Sequence, residues 1–187
     1  ATLGLVEYTY SKLLKRYAQY LEFRIQAFKE IGYDVSYAGK RDQFARLRKL
    51  SVNKGLLREI ALIQRVTKAI LECTFFIEEP QDELIIYALE MIIKDLLSYY
   101  MGMNEGIINM LEHYFEMSRP NAERALELYK RFCFQTEQVL AFLNLTRRRC
   151  YQLRSSIPQL KHAPLELADA LEEYLHNPDV DKNTKKN

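Results

Sequence analysis

The side chains best able to hold a metal or act as nucleophiles are His113, His162 and His176 and Cys73, Cys133 and Cys150, and no two of them stand three or four residues apart. That spacing supplies neither a helical ligand pair nor a thiolate zinc motif. The chain has no glycine-rich phosphate loop and no nucleophile elbow. Its acidic pairs, Glu78-Glu79 and Glu172-Glu173, fall at helix ends or on polar faces, where nothing would force two carboxylates to different protonation states. Cys133, between Phe132 and Phe134, reads as a small buried apolar residue. The chemistry is therefore recognition rather than catalysis, with no metal and no cofactor expected.

Charge offers two recognition candidates. Lys40, Arg41, Arg46, Arg48 and Lys49 gather in one stretch, with Phe44 among them and Lys54 beyond. Such a loop would lie on an anionic membrane, each cation contributing about 1 kcal/mol. The plainer alternative is a solvated loop, because polybasic anchors are denser than this. Arg147-Arg148-Arg149 suits the negative end of a helix dipole or an acidic partner.

Composition limits the partners further. The chain has 187 residues, 48% of them apolar, enough for one domain with a full core. Lys plus Arg number 27 against 25 acidic residues, so a net charge of +2 gives no global field toward nucleic acid. Three cysteines without close spacing argue for a reducing compartment, the cytoplasm. The most apolar stretch, 84–103, is interrupted by Glu90, Lys94 and Asp95 and reads as a buried helix rather than a membrane span. Because the chain opens on Ala1 without a signal pattern, it is expected to be a fragment of a longer polypeptide.

The elements that must position these residues are helices. Apolar residues recur at helical spacing over 8–31, closed by Gly32, then over 53–74 and 82–101. The 82–101 segment is apolar nearly all round and is expected at the centre of a bundle. Between 32 and 53 lies a loop with a short turn over 42–50. Residues 104–117 and 121–145 form a helical hairpin broken at Pro120, which is tolerated in a helix's first turn. A short helix over 164–175 carries the stripe Leu167, Ala168, Leu171 and Leu175, and 177–187 reads as a disordered tail. The fold class is all-α, stacked antiparallel hairpins forming a bundle or solenoid.

The hairpin carries a fingerprint. Its residues NEGIINMLEHYFEMSRPNAERALELYKRFCF (104–134) resemble the ANTH domain of endocytic clathrin adaptors, including Asn104, Asn109 and Lys130, positions that bundle packing does not demand. The similarity extends to KRYAQYLEFRIQAF (15–28), LLREIALIQRVTKAIL (56–71), Lys94-Asp95 and IPQLKHAPLELADALEEYL (157–175), in the same order. The family often has a proline where this chain has Ala61, and 77–83 aligns poorly. No lysine-rich run followed by histidine precedes Tyr8, so the chain resembles the C-terminal two-thirds of the domain, over 1–176, without its phosphoinositide headgroup site.

The resemblance implies an endocytic clathrin adaptor module. The intact protein would bind phosphatidylinositol 4,5-bisphosphate membrane and VAMP-type SNAREs at clathrin-coated pits, while clathrin and other adaptors would be recruited by regions outside this chain. A SNARE helix would enter a groove of Ile108, Leu111, Phe115, Thr136 and Leu140, with Thr136 standing where the family has methionine. That Leu111 simply packs the bundle is the open alternative. The closing helix could occupy this groove in cis. Ubiquitin, which some endocytic helical modules bind, is a further candidate partner. The competing reading is a helical-repeat scaffold for contacts unrelated to coats.

Overall fold

The computed structural model describes residues 2–36, 44–73, 83–160 and 166–176. Among them all regular structure is helical: α1 (Thr2–Ile31), α2 (Ala45–Lys49), α3 (Leu56–Leu71), α4 (Glu83–Glu112), α5 (Arg119–Arg149) and α6 (Glu166–Leu175). Short 3-10 turns at Val52–Lys54, Tyr114–Glu116 and Tyr151–Ser156 join them. The all-α stack of packed helices is as the periodicity indicates. The expected tail, 177–187, lies outside the described residues.

The hub is α3, which packs against α1, α4 and α5. It is amphipathic in sequence, yet its buried set extends beyond the apolar stripe to Glu59, Gln64 and Thr67. Each of these makes a side-chain hydrogen bond, although Gln64 Oε1 is left without a partner among the described residues. Thr67 Oγ1 donates to the Ile63 carbonyl at 2.9 Å, Gln64 Nε2 to the Leu128 carbonyl of α5 at 2.8 Å, and Gln135 Nε2 of α5 to the Gln64 carbonyl at 2.7 Å. Glu59 accepts from Arg46 and Tyr33. Central position therefore belongs to α3 rather than to the 82–101 segment. The first half of α4 leaves Leu84, Tyr87 and Met91 between 41% and 67% exposed, so its all-round apolarity marks a surface as well as a core.

Gly32 ends α1 as expected, at φ +77°, its N–H donating to the Phe28 carbonyl at 2.8 Å. The hairpin differs from expectation. Residues 82–101 and 104–117 do not form two helices; α4 runs unbroken through Gly102 and Gly106, and the chain turns at 113–117, before Pro120. The glycines are places of close approach rather than stops. A Cβ on Gly102 would lie 2.8 Å from Val35 Cγ1 and 3.3 Å from the Phe44 ring, and one on Gly106 would lie 3.0 Å from Ile60 Cγ1. Asn109, one turn on, is buried and donates to the Leu47 and Leu50 carbonyls at 2.6 and 2.9 Å. It satisfies the last carbonyls of α2, so packing does demand it.

A polar cluster fastens α1 to the turn after it and to α4. Arg24 donates to Asp34 at 2.6 Å and to Asp95 at 2.9 Å, Tyr20 donates to Asp95 at 2.6 Å, and Tyr99 to Asp34 at 3.3 Å. Burial works against ionisation of Asp34, but the hydrogen bonds from Arg24 and Ser36 outweigh it and hold the carboxyl below its ordinary 3.8.

Two outcomes test this packing. Gly102→Ala, which in an unobstructed helix stabilises by up to about 1 kcal/mol, is expected here to destabilise by about 1–3 kcal/mol in urea unfolding, because the added methyl meets Val35 and Phe44. The depressed Asp34 carboxyl contributes stability that is complete above its ordinary value of 3.8 and lost as pH falls below it. Thermal melts of Asp34→Asn should start from a lower midpoint at neutral pH and fall less than the parent's on acidification.

Candidate functional site: the α4–α5 corner beneath α6

At the α4–α5 corner the chain reverses over a tyrosine and a phenylalanine. Tyr114 is fully buried, while Phe115 beside it is 56% exposed, the two rings edge-on at 5.6 Å. α6 lies against α5 and reaches this corner. It buries Ala168, Leu171 and Leu175, with Leu167 half-buried, which is the stripe read in the sequence.

Polar contacts seat the same helix. Tyr114 Oη donates to the Leu171 carbonyl at 3.1 Å, and Tyr174 Oη to the Phe115 carbonyl at 3.0 Å. The Phe115 and Tyr174 rings meet edge-on at 4.7 Å. Lys130 Nζ reaches Glu172 at 2.6 Å, and its hydrogen bond holds the Glu172 carboxyl below the usual range. Burial, with Tyr174 nearby, pushes the Tyr114 hydroxyl up to about 12, so it stays a donor at any physiological pH.

The five groove candidates do not line one open groove. Ile108 and Phe115 are exposed, at 47% and 56%, and Leu111 is half-buried against the core. Thr136 is fully buried, its hydroxyl donating to the Phe132 carbonyl at 2.9 Å, and it presents no surface to a partner. Leu140 is buried where α5 meets residues 158–160, lining a cavity of about 180 Å³ with Leu143, Asn144, Arg147 and Leu160. The candidates follow α4 and α5 correctly. What linear spacing did not reveal is that α6 and the segment before it cover this part of the hairpin.

The basic stretch is largely committed within the fold. Lys40 and Arg41 lie outside the described residues. Arg46 grips the buried Glu59 with both Nε and a terminal nitrogen, and its guanidinium lies 5.2 Å from the Tyr33 ring centre. Arg48 pairs with Glu105 at 3.2 Å, while Lys49 is exposed. Phe44, the aromatic that would insert into a bilayer, is buried beside Gly102. Arg46 thus neutralises an interior carboxylate, and Arg48 is paired as well. The Cys73 thiol is pushed up to about 12 by burial, with Glu72 adding to it, which keeps it protonated and inert.

Sequence reading missed one surface, an apolar cleft of about 300 Å³ between the first halves of α1 and α4, lined by Tyr10, Leu14, Tyr17, Leu84, Tyr87 and Met91. The signal was present in the all-round apolarity of residues 84–97.

Comparison with known proteins gives one consistent result. The family model described as the ANTH domain matches residues 4–177. An ENTH domain-containing protein of Schizosaccharomyces pombe is 34% identical over 174 residues, covering 93% of this chain and 27% of that protein. A clathrin coat assembly protein of Saccharomyces cerevisiae is 35% identical over 184 residues, covering 92% of this chain and 28% of its own length. The human phosphatidylinositol-binding clathrin assembly protein is 31% identical over 172 residues, covering 92% and 26% respectively. The chain spans about a quarter of the length of the curated relatives it matches.

The seat of α6 is testable by itself. Tyr174→Ala removes its ring contact with Phe115 and its hydrogen bond to the Phe115 carbonyl. Amide exchange within 166–176 is expected to quicken on the order of tenfold, with α3 protection unchanged.

Proposed function

The chain belongs to the ANTH domain family, and from that premise we propose that it is the C-terminal helical part of an adaptor module acting in clathrin coat assembly. In the intact protein this module works at clathrin-coated pits on the cytoplasmic side of the plasma membrane. Phosphatidylinositol 4,5-bisphosphate membrane is bound by residues other than those present here. Clathrin and other adaptors are recruited by other regions, and this part acts by binding protein, not by catalysis.

The ligand of this part is an amphipathic helix of the VAMP-type SNARE class, taken up at the α4–α5 corner in exchange for α6. The seat of α6 carries this reading. It is a ten-residue helix, joined to α5 through a segment of which 161–165 lies outside the described residues, and it is held by three small-to-medium apolar side chains and a few edge contacts. Burying those side chains supplies only a few kcal/mol, which a longer helix presenting the same stripe would exceed. Ile108, Leu111 and Phe115 form the reachable rim. Leu140 becomes reachable if residues 157–160 move with α6, and Thr136 acts from inside the bundle by shaping α5.

Calorimetry with a VAMP-type SNARE-motif peptide tests the proposal. A chain lacking residues 164–187 is expected to bind at least tenfold more tightly than the full chain, and Phe115→Ala to weaken both. The seat-loosening Tyr174→Ala variant, which keeps α6 in place, should show an intermediate gain. Equal affinity for the truncated and full chains would sink displacement of α6, and binding by neither would sink the SNARE reading. Titration with ubiquitin under the same conditions decides whether the exposed rim serves that partner instead.

A further inference from the structure

Five cations follow the seam between α3 and α5. Lys54, in the turn before α3, and Arg58 and Lys68 on the helix are exposed, as are Arg124 and Arg131 of α5. Among the described residues none of the five makes an ion pair. Their neighbours do: Arg65 pairs with Glu30 of α1 at 3.0 Å, Arg119 with Glu123 at 3.2 Å and Lys130 with Glu172 of α6 at 2.6 Å. In a chain whose net charge is only +2, this is a local field rather than the surplus of a basic protein.

The two helices set the cations in line. Ser51 and Asn53, before α3, share a cleft with Ser118 and Asn121 at the start of α5, so the helices begin side by side and run parallel. Further along, Gln64 donates to the Leu128 carbonyl, and its own carbonyl accepts from Gln135. Arg131 stands between these two contacts and is exposed, which puts it on the lip of the seam, with Arg124 on the same edge two turns earlier. On α3, Lys68 lies one turn beyond Gln64, while Arg58 folds its guanidinium back to 3.8 Å from where a Cβ on Gly55 would stand, beside Lys54. Half-buried Ala61 leaves only a methyl group at the middle of this lip. From Lys54 to Lys68 the strip runs about 20 Å.

We propose that the seam docks an acidic segment of a partner protein, extended and laid along it. The narrowness of the strip separates a segment from a bilayer. On the α1 side the next cations, Arg65 and Arg16, are already neutralised by Glu30 and Glu72, and on the far side α5 exposes Glu123, Glu127 and Glu137. An anionic surface broad enough to reach all five cations would be pressed against those carboxylates as well. A single extended segment meets the cations alone, and Glu127 at the outer edge repels it back onto the seam. At about 3.3 Å per residue some seven residues span the strip, and acidic side chains at alternate positions all face it. Phe134, 64% exposed and two turns beyond Glu127 on the outward row of α5, adds one apolar contact at the Lys68 end. α6 rests on the other flank of α5, through Lys130, so this site is separate from the α4–α5 corner.

Fluorescence anisotropy on the full chain is the test, with a labelled peptide of about eight residues that alternates Glu and Ser. Binding is expected at low salt and should weaken several-fold on raising the ionic strength to about 0.15 M, while the counterpart with Gln for Glu should not bind. Lys68→Glu and Arg131→Glu should each weaken binding about fivefold, and Lys49→Glu, an exposed cation of α2 outside the seam, should leave it unchanged. Amide shifts on titration should gather in 54–68 and 124–131. No binding of the Glu peptide, or equal affinity for the Lys68→Glu and Arg131→Glu variants and the parent, overturns the proposal. Flotation with phosphatidylserine vesicles that Arg131→Glu abolishes, without peptide binding, overturns it too and gives the strip to a bilayer.

Discussion

Burial of α3 on three sides is the constraint from which the rest of the structure follows. A helix so enclosed cannot leave a polar atom to solvent, so each polar group that it carries inward fixes a neighbour. Glu59 requires a cation, and Arg46 is drawn from the basic stretch to supply it. Gln64 ties α3 to the backbone of α5, and Gln135 returns the contact. Both glutamines leave their side-chain carbonyl oxygens without a protein partner, so the α3–α5 contact is held by their amide nitrogens alone. With α3 fixed, α1 and α4 lie on its remaining sides, and Arg24 joins them through Asp34 and Asp95.

From this frame comes a division of labour along α4. Its glycines let α2 and α3 approach closely, and Asn109 closes the carbonyl end of α2. Only after these contacts are made does the chain reach the corner, where one aromatic ring goes inward and the next goes out. The corner is rigid because Tyr114 is anchored in the core, and it offers a handle because Phe115 is not. Helix α6 uses both, accepting the Tyr114 hydrogen bond and setting the Tyr174 ring edge-on to Phe115.

Much of this was legible in the chain. Helical periodicity located α3, α5 and α6 within a few residues and the end of α1, whose start at Thr2 precedes the expected residue 8, because a stripe repeating every three or four positions fits a helix in a compact all-α domain. The family fingerprint includes residues with a packing role in this chain, such as Asn109, which holds the Leu47 and Leu50 carbonyls. The break within 82–117 was misread because a glycine that ends a helix and a glycine that admits a neighbouring side chain look alike in sequence. The groove candidates lie on α4, the turn after it and α5, yet Thr136 and Leu140 are buried. A candidate carried over by position says which turn of a helix it occupies, and burial depends on what else packs there.

The amino-acid sequence by itself determined the class of fold and the family, because these depend on local periodicity and on residue identity. It also wrote the outward stripe of Leu14, Leu21 and Phe28 on α1 and the α6 stripe, both of which are spacings along one helix. Only the tertiary structure decided which stripe is covered and which faces water. Leu14, Leu21 and Phe28 are as apolar as Leu13, Tyr20 and Ala27, and nothing in the chain ranks them. The same holds for charge: Arg46 and Lys49 look alike as cations until one of them meets a carboxylate buried thirteen positions away. Whether a side chain is core or contact surface is a property of what packs against it, and for these residues that neighbour comes from another part of the chain.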